Sequence, residues 1–247
     1  LSNLPIPDEV YNWLINSFHD RSHKTKLFDE ISCSVKINSS VVQGSGIGPI
    51  CFILNSGDLN PKHSHNNFNK YADDVYLIVP SVNSSLIHSE IDHITNWATE
   101  NNLKLNPDKT REMIIFKPGL KLKDKFPPAL LPGIERVSVM KILGVLVDDK
   151  LSFNNHLEKI ISSSASSLYA IKILKSKGLR PPSLWDVTKQ TAVAKMQYAS
   201  SVWWGFLNKE SQKRLDAIIK RFIKYSYLSP DHPSFSQLCE DADANLF

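Results

Sequence analysis

Lys70-Tyr71-Ala72-Asp73-Asp74-Val75-Tyr76-Leu77-Ile78-Val79 is the stretch on which the reading of this 247-residue chain turns. Val75, Leu77 and Val79 alternate with Tyr76 and Ile78, the period of a β-strand. Phe68 to Tyr71 can form a shorter strand before it. Two adjacent aspartates between such runs predict a tight hairpin with carboxylates at its tip. Neighbours in an extended strand point to opposite faces, but at a turn both can approach one site, and a turn accepts Asp readily. Taken alone, such a pair reads first as a solvated turn with two surface acids. The company the stretch keeps decides between the two.

Upstream, Ser32 to Val42 alternates loosely as a strand and leads into Gln43-Gly44-Ser45-Gly46-Ile47-Gly48-Pro49. Glycines at this density let backbone approach a ligand closely. Pro49 suits the first turn of a helix over Ile50 to Leu54. The spacing is not the Gly-x-Gly-x-x-Gly of a dinucleotide fold. Nearer the start, Pro7-Asp8-Glu9 opens a helix with Val10, Trp13, Leu14 and Phe18 on one face, so Trp13 and Phe18 are expected in a core. Pro61 to Asn67 is a polar loop; its His63 and His65 have no third metal ligand nearby.

Downstream, Asn83 or Ser84 can cap a helix running to about Thr99, with Ile87, Ile91, Ile94 and Ala98 as its apolar stripe. Leu103-Lys104-Leu105-Asn106-Pro107-Asp108-Lys109-Thr110 follows, then a predicted strand over Met113 to Phe116. Pro118 to Pro132 reads as a loop, and Val137 to Val147 as paired strands around Ile142-Leu143-Gly144-Val145-Leu146-Val147-Asp148. Asn155 with Glu158 has the spacing of a capping box for a helix that Gly178 and Pro181-Pro182 end. A second helix is predicted from about Leu184 to Ala199. A third, Ser211 to about Tyr225, is two-faced: Leu215, Ile218, Ile219 and Phe222 against Lys213, Arg214, Lys220, Arg221 and Lys224. That basic side either follows a duplex backbone or is simply solvated. Tyr198, Trp203 and Trp204 read as core, and the tail from Ser229 as poorly ordered.

Several of these blocks, in this order from about Leu4 to Tyr227, resemble the reverse transcriptases of non-LTR retrotransposons of the jockey and LINE type. Tyr71-Ala72-Asp73-Asp74 is similar to that family's signature. The run from Gln43 to Pro49 resembles its PQGSxLGP block, with Val42 where the family usually has Pro. Trp97, Asn101, Leu103, Leu105, Asn106, Lys109 and Thr110 match W-xxxN-xLxLNxxKT. Ile142 to Asp148 resembles FLGVxLD, with Ile142 replacing the usual aromatic.

The resemblance implies an RNA-directed DNA polymerase, a nucleotidyltransferase working on an RNA template, a DNA primer and dNTPs. It implies Asp73 and Asp74 as ligands of two Mg²⁺ ions, or Mn²⁺ in their place. Gln43, Gly44, Tyr71 and Ala72 would lie beside nucleotide and template, and Lys109 near the leaving pyrophosphate, where it protonates it or neutralises charge. Leu143, Gly144 and Val145 would grip the primer. The fold it implies is α+β: a partial fingers and palm over 1–150, an antiparallel sheet with packed helices, then an all-helical thumb over 151–228 and a tail over 229–247. The family's first metal-binding aspartate lies in a block such as D-xx-KAFD. Leu27-Phe28-Asp29 matches it only superficially, so the resemblance leads us to expect a fragment that polymerises little alone. The alternative is a nucleic-acid-binding remnant without chemistry.

Composition is compatible with this. An apolar fraction of 42% suffices for a core, and no run reaches the length of a membrane span. Cys33, Cys51 and Cys239 lack metal-type spacing, which predicts reduced thiols and an intracellular setting, nuclear or cytoplasmic. Net charge is +4, but Lys150 to Leu228 holds 14 Lys/Arg against 4 Asp/Glu, a balance of +10 that leaves −6 for the rest. Such a basic half suits a phosphate-backbone partner.

Overall fold

A computed structural model describes residues 5–37, 44–117, 119 and 127–246. The chain divides into two compact units, Leu1–Asp108 and Lys109–Phe247. It mixes helices with small, mostly antiparallel sheets, an α+β composition.

The first unit opens with helix α1, Asp8–Phe18, whose first-turn acids Asp8 and Glu9 face the positive end of the helix dipole. Only Leu14 of this helix is buried. Trp13, expected in a core, is 56% exposed. The alternation from Ser32 yields less strand than expected. Ser22–His23 (β1) pairs with Val35–Lys36 (β4), and Lys26–Leu27 (β2) with Glu30–Ile31 (β3), two short antiparallel ribbons. The remainder of that predicted strand, with Gln43, lies outside the described residues.

Helix α2 covers Gly48–Ser56, with Pro49 in its first turn. The acidic stretch then folds as predicted. Asn67–Tyr71 (β5) and Asp74–Ile78 (β6) form an antiparallel hairpin, with Tyr71 opposite Asp74. A 3₁₀ turn over Ser81–Leu86 precedes helix α3, Ile87–Glu100. Asn83 does not cap that helix; it is buried, and its amide donates to the Ser64 carbonyl at 2.6 Å and to Asn66 Oδ1 at 2.9 Å.

The centre of this polar packing is Glu90 of α3, fully buried. Its carboxylate accepts from Lys62 N–H at 2.7 Å, His63 N–H at 3.3 Å and the Asn66 amide at 2.9 Å. A buried carboxylate is tolerated only when its oxygens are satisfied, and here they hold the loop that enters β5. Trp97 Nε1 donates to Asp58 Oδ1 at 2.9 Å, fixing the other end of the same segment.

The second unit holds the apolar core. Arg111–Glu112 (β7) runs parallel to Glu135–Arg136 (β8), with Arg136 donating to Glu112 at 2.6 Å. The strand expected over Met113 to Phe116 is therefore displaced to Arg111–Glu112. Val139–Ile142 (β9) and Val145–Asp148 (β10) make a hairpin, and Val145 and Val147 point into the core. This hairpin packs with the helices that follow it, and the compact units divide between Asp108 and Lys109.

Helix α4, Asn154–Ser176, begins without the expected capping box. The Asp148 carboxylate instead accepts from Lys150 N–H, Ser152 N–H and the Ser152 hydroxyl at 3.0, 3.0 and 2.8 Å, organising the turn before the helix. Burial acts to raise the Asp148 pKa, but these hydrogen bonds outweigh it and hold the carboxyl below its ordinary value. Glu158 faces outward and takes a bidentate contact from Arg214 at 2.6 and 3.1 Å. At the far end Gly178, at φ +91, closes a Schellman turn: its N–H reaches the Lys175 carbonyl and Leu179 N–H the Leu174 carbonyl.

The predicted second helix is broken into pieces. Pro181–Thr188 (α5) passes through a π-helical turn over Lys189–Val193 into Ala194–Gln197 (α6), and after Tyr198 and a left-handed Ala199 comes Ser200–Trp203 (α7). Helix α8, Lys209–Lys224, is capped by Asn208, whose side chain accepts from Ser211 N–H at 2.8 Å. Its Leu215, Ile219 and Phe222 are buried as the pattern predicts.

The described part of the tail, to Leu246, carries a helix. Ser234 caps helix α9, Phe235–Ala244, whose Phe235 and Cys239 are fully buried. Phe235 stacks on Trp203 at 6.2 Å and meets Trp204 edge-on at 5.4 Å. Asp216 of α8 accepts from Ser236 N–H and hydroxyl at 3.0 and 2.7 Å.

Candidate active site

The acidic pair sits at the tip of an exposed hairpin with a two-residue turn. Tyr71 and Asp74 are the last paired residues, and Ala72 and Asp73 make the turn between them. All four are exposed. Ala72 adopts φ +51, a left-handed conformation that an L-residue reaches only at a cost. Asp74 and Tyr76 share a face of β6, and the Tyr76 hydroxyl donates to Asp74 Oδ2 at 3.4 Å. Lys70 Nζ, one residue before the tip pair, donates to the Ser56 carbonyl at 2.6 Å, so the end of α2 is tied to the carboxylate hairpin.

Gly44 adopts φ +85, and a Cβ placed on it would meet no atom within 4 Å. Backbone conformation, not crowding, is what calls for glycine there. Lys109 is exposed at the start of the second unit. Asp73 and Asp74 supply the hard carboxylate oxygens that Mg²⁺ prefers. Among the described residues no three His, Cys, Asp or Glu side chains gather around a common point.

In the second unit, Leu143 and Gly144 form the two-residue turn of the β9–β10 hairpin, at φ +44 and +94, with Ile142 opposite Val145. This is the left-handed pair that matches the twist of a hairpin. A Cβ on Gly144 would lie 3.1 Å from Tyr198 Cε1, and the Tyr198 hydroxyl donates to the Leu143 carbonyl at 2.8 Å. Tyr198 is thus no core residue: it is 55% exposed and covers this turn, whereas Trp203 and Trp204 are buried as expected. His156 of α4 supports the same hairpin, accepting from Leu146 N–H at Nδ1 at 3.3 Å and meeting Trp203 edge-on. Burial first, then the nearby Lys159 charge, pushes the His156 pKa below its ordinary value.

Of the basic residues on α8, Arg214 is engaged by Glu158, while Lys213, Lys220, Arg221 and Lys224 lie exposed along the helix. The contributions of Glu90, Asp148 and Tyr198 escaped sequence reasoning. Asp148 carried a signal, an acid four residues before Ser152 at a strand end. Glu90 and Tyr198 carried none, because their partners come from distant segments.

This α+β chain with a carboxylate-tipped hairpin belongs to the reverse transcriptase (RNA-dependent DNA polymerase) family, whose model matches residues 3–147, more than half of its length. Among its relatives in Drosophila melanogaster are the probable RNA-directed DNA polymerase from transposon X-element, 27% identical over 86% of this chain, and that from transposon BS, 23% identical over 88%. Both agree with the non-LTR retrotransposon reading of the motifs. The chain spans about a quarter of the length of either relative (24% and 25%). No solved structure matches it. Among the described residues no helix is long and apolar enough to cross a membrane.

Proposed function

We propose that this chain carries the carboxylate-hairpin part of an RNA-directed DNA polymerase, with 1–150 as partial fingers and palm and the helices from 151 as thumb. The observation that carries the reading is the exposed Asp73-Asp74 turn, inside the stretch matched by the family model. In the reaction a primer 3′-hydroxyl attacks the α-phosphorus of a dNTP, a P–O bond forms, and pyrophosphate leaves. Divalent ions, when bound, neutralise charge on the attacking and leaving oxygens.

Asp73 would be a direct ligand and Asp74 a ligand or close electrostatic support. Gln43 and Gly44 would lie beside the nucleotide and template base, and Tyr71 and Ala72 beside the primer end. Lys109 would donate a proton to pyrophosphate or offset its charge. Leu143, Gly144 and Val145 would hold the primer backbone, and Lys213, Lys220, Arg221 and Lys224 would follow the duplex, with Arg214 contributing through its pair with Glu158. Because the carboxylate pair needs further oxygen ligands, the chain alone would bind primer–template and polymerise little.

Binding of a primed RNA template with a matching dNTP, with and without Mg²⁺, tests this. The reading expects Mg²⁺ to tighten binding and Asp73→Ala to abolish that tightening. Nucleotide incorporation equal to that of an intact enzyme would refute the partial-site reading. A second reading, a binding remnant without chemistry, is favoured by the basic face of α8 alone. It expects binding indifferent to both Mg²⁺ and Asp73→Ala, with a log–log salt slope that falls by about one for each of Lys213, Lys220 and Lys224 changed to Ala.

A further inference from the structure

The helix pieces from Pro181 stop at Tyr198 because Ala199 turns left-handed, φ +51, and Trp203 Nε1 donates to the Tyr198 carbonyl at 3.1 Å. This break sends the Tyr198 ring away from the core formed by its neighbours. More than half of the ring is exposed, yet its hydroxyl donates to the Leu143 carbonyl at 2.8 Å, 55 residues away in sequence, and its edge lies against Gly144. A ring placed this way adds little apolar burial. What it does is fix one turn.

Leu143 is held left-handed at φ +44, a state that persists in a non-glycine residue only where the surroundings over-determine it. A bare carbonyl at a hairpin tip also presents partial negative charge to anything polyanionic. A hydroxyl donating to it cancels that charge and locks the peptide plane at once.

We propose that Tyr198 is a positioning residue that holds the Leu143-Gly144 turn, with its carbonyl capped, in the shape that receives a primer-strand backbone. The proposal rests on the primer-grip reading above. It adds a residue from the helical segment to that grip and explains why a half-exposed tyrosine is fixed there by two contacts.

The test is equilibrium binding of the purified chain to two labelled probes. One is an RNA template annealed to a DNA primer with a recessed 3′ end; the other is a blunt RNA–DNA hybrid of the same duplex length. The wild type is expected to prefer the recessed end. Tyr198→Phe removes one hydroxyl and should weaken binding to the recessed probe by up to about tenfold, the worth of one hydrogen bond, and lower the thermal midpoint slightly, while binding to the blunt hybrid is unchanged. Gly144→Ala, strained at φ +94 and with its Cβ against the ring, should lose the same preference because it disturbs both the turn and the tyrosine that covers it. A wild type with no preference would sink the primer-grip reading and this proposal with it. A wild type with the preference, retained in full by both variants or lost equally on both probes, would overturn the role of Tyr198 alone.

Discussion

Ala72 stands between Tyr71 and Asp73 in a conformation that favours glycine, φ +51. The cost for an L-residue is roughly 1–2 kcal/mol, against about 0.5–1 kcal/mol of extra chain entropy that glycine would lose on folding. Ala72→Gly should therefore steady the hairpin by about 0.5–1 kcal/mol, which slows amide hydrogen exchange at Tyr71 and Asp74 by about two- to fivefold. Unchanged or faster exchange would mean the left-handed turn is not the hairpin's resting state. His156 makes a second prediction at this scale. It is buried and neutral, accepting a backbone N–H at Nδ1. Its folded pKa lies below the ordinary value of 6.5, so its contribution is complete above 6.5 and is lost as pH falls through the folded value. Thermal midpoints should drop more between pH 7.5 and 5.5 in the wild type than in His156→Gln, by at most about 1.4 kcal/mol per pH unit. Parallel pH curves would contradict this. At the residue scale the acidic pair was legible because turn chemistry is local. Tyr198 and Glu90 were not, since what fixes them is a partner 55 and 28 residues away respectively.

Both hairpins could be read from alternating apolar residues around a turn, and α8 from its apolar face, because each pattern is complete within its own segment. The helix α9 was equally legible but lost in a tail rich in Ser and acids. Phe235, Leu238 and Cys239 hold helical spacing behind the cap residue Ser234, and Phe235 fills the space beside Trp203. Phe235→Ala should cost about 3–5 kcal/mol through the cavity it leaves, read as a lower denaturation midpoint of the second unit. A disordered tail would leave that midpoint unchanged. The broken helix after Pro181 was not legible. Nothing between Leu184 and Ala199 marks a stop, yet the chain passes through a π-helical turn and a left-handed Ala199 on either side of the buried Met196. The capping box at Asn155 failed for a related reason. Asp148 had already satisfied the turn before α4, and Glu158 is spent on Arg214.

At the scale of the molecule, the two units differ in what holds them. The second has a continuous apolar core from Val145 to Cys239. In the first, among the described residues, only Leu14, Leu59 and Ala98 are buried hydrophobics, and a polar network around Glu90 does much of the ordering. The unit that carries Asp73 and Asp74 is thus the one with the thinner core. The charge follows the same division, with the basic balance in the helical half. Everything in the polymerase reading depends on whether the Asp73-Asp74 tip takes up divalent metal. Mn²⁺ titration followed by electron paramagnetic resonance, with primer–template present, asks this directly. Binding by the wild-type chain that weakens at least about tenfold in the Asp73→Asn, Asp74→Asn double variant is the expected result, since a Mn²⁺ ion losing two carboxylates loses its main anionic ligands. Equal Mn²⁺ affinity in the two proteins would contradict it.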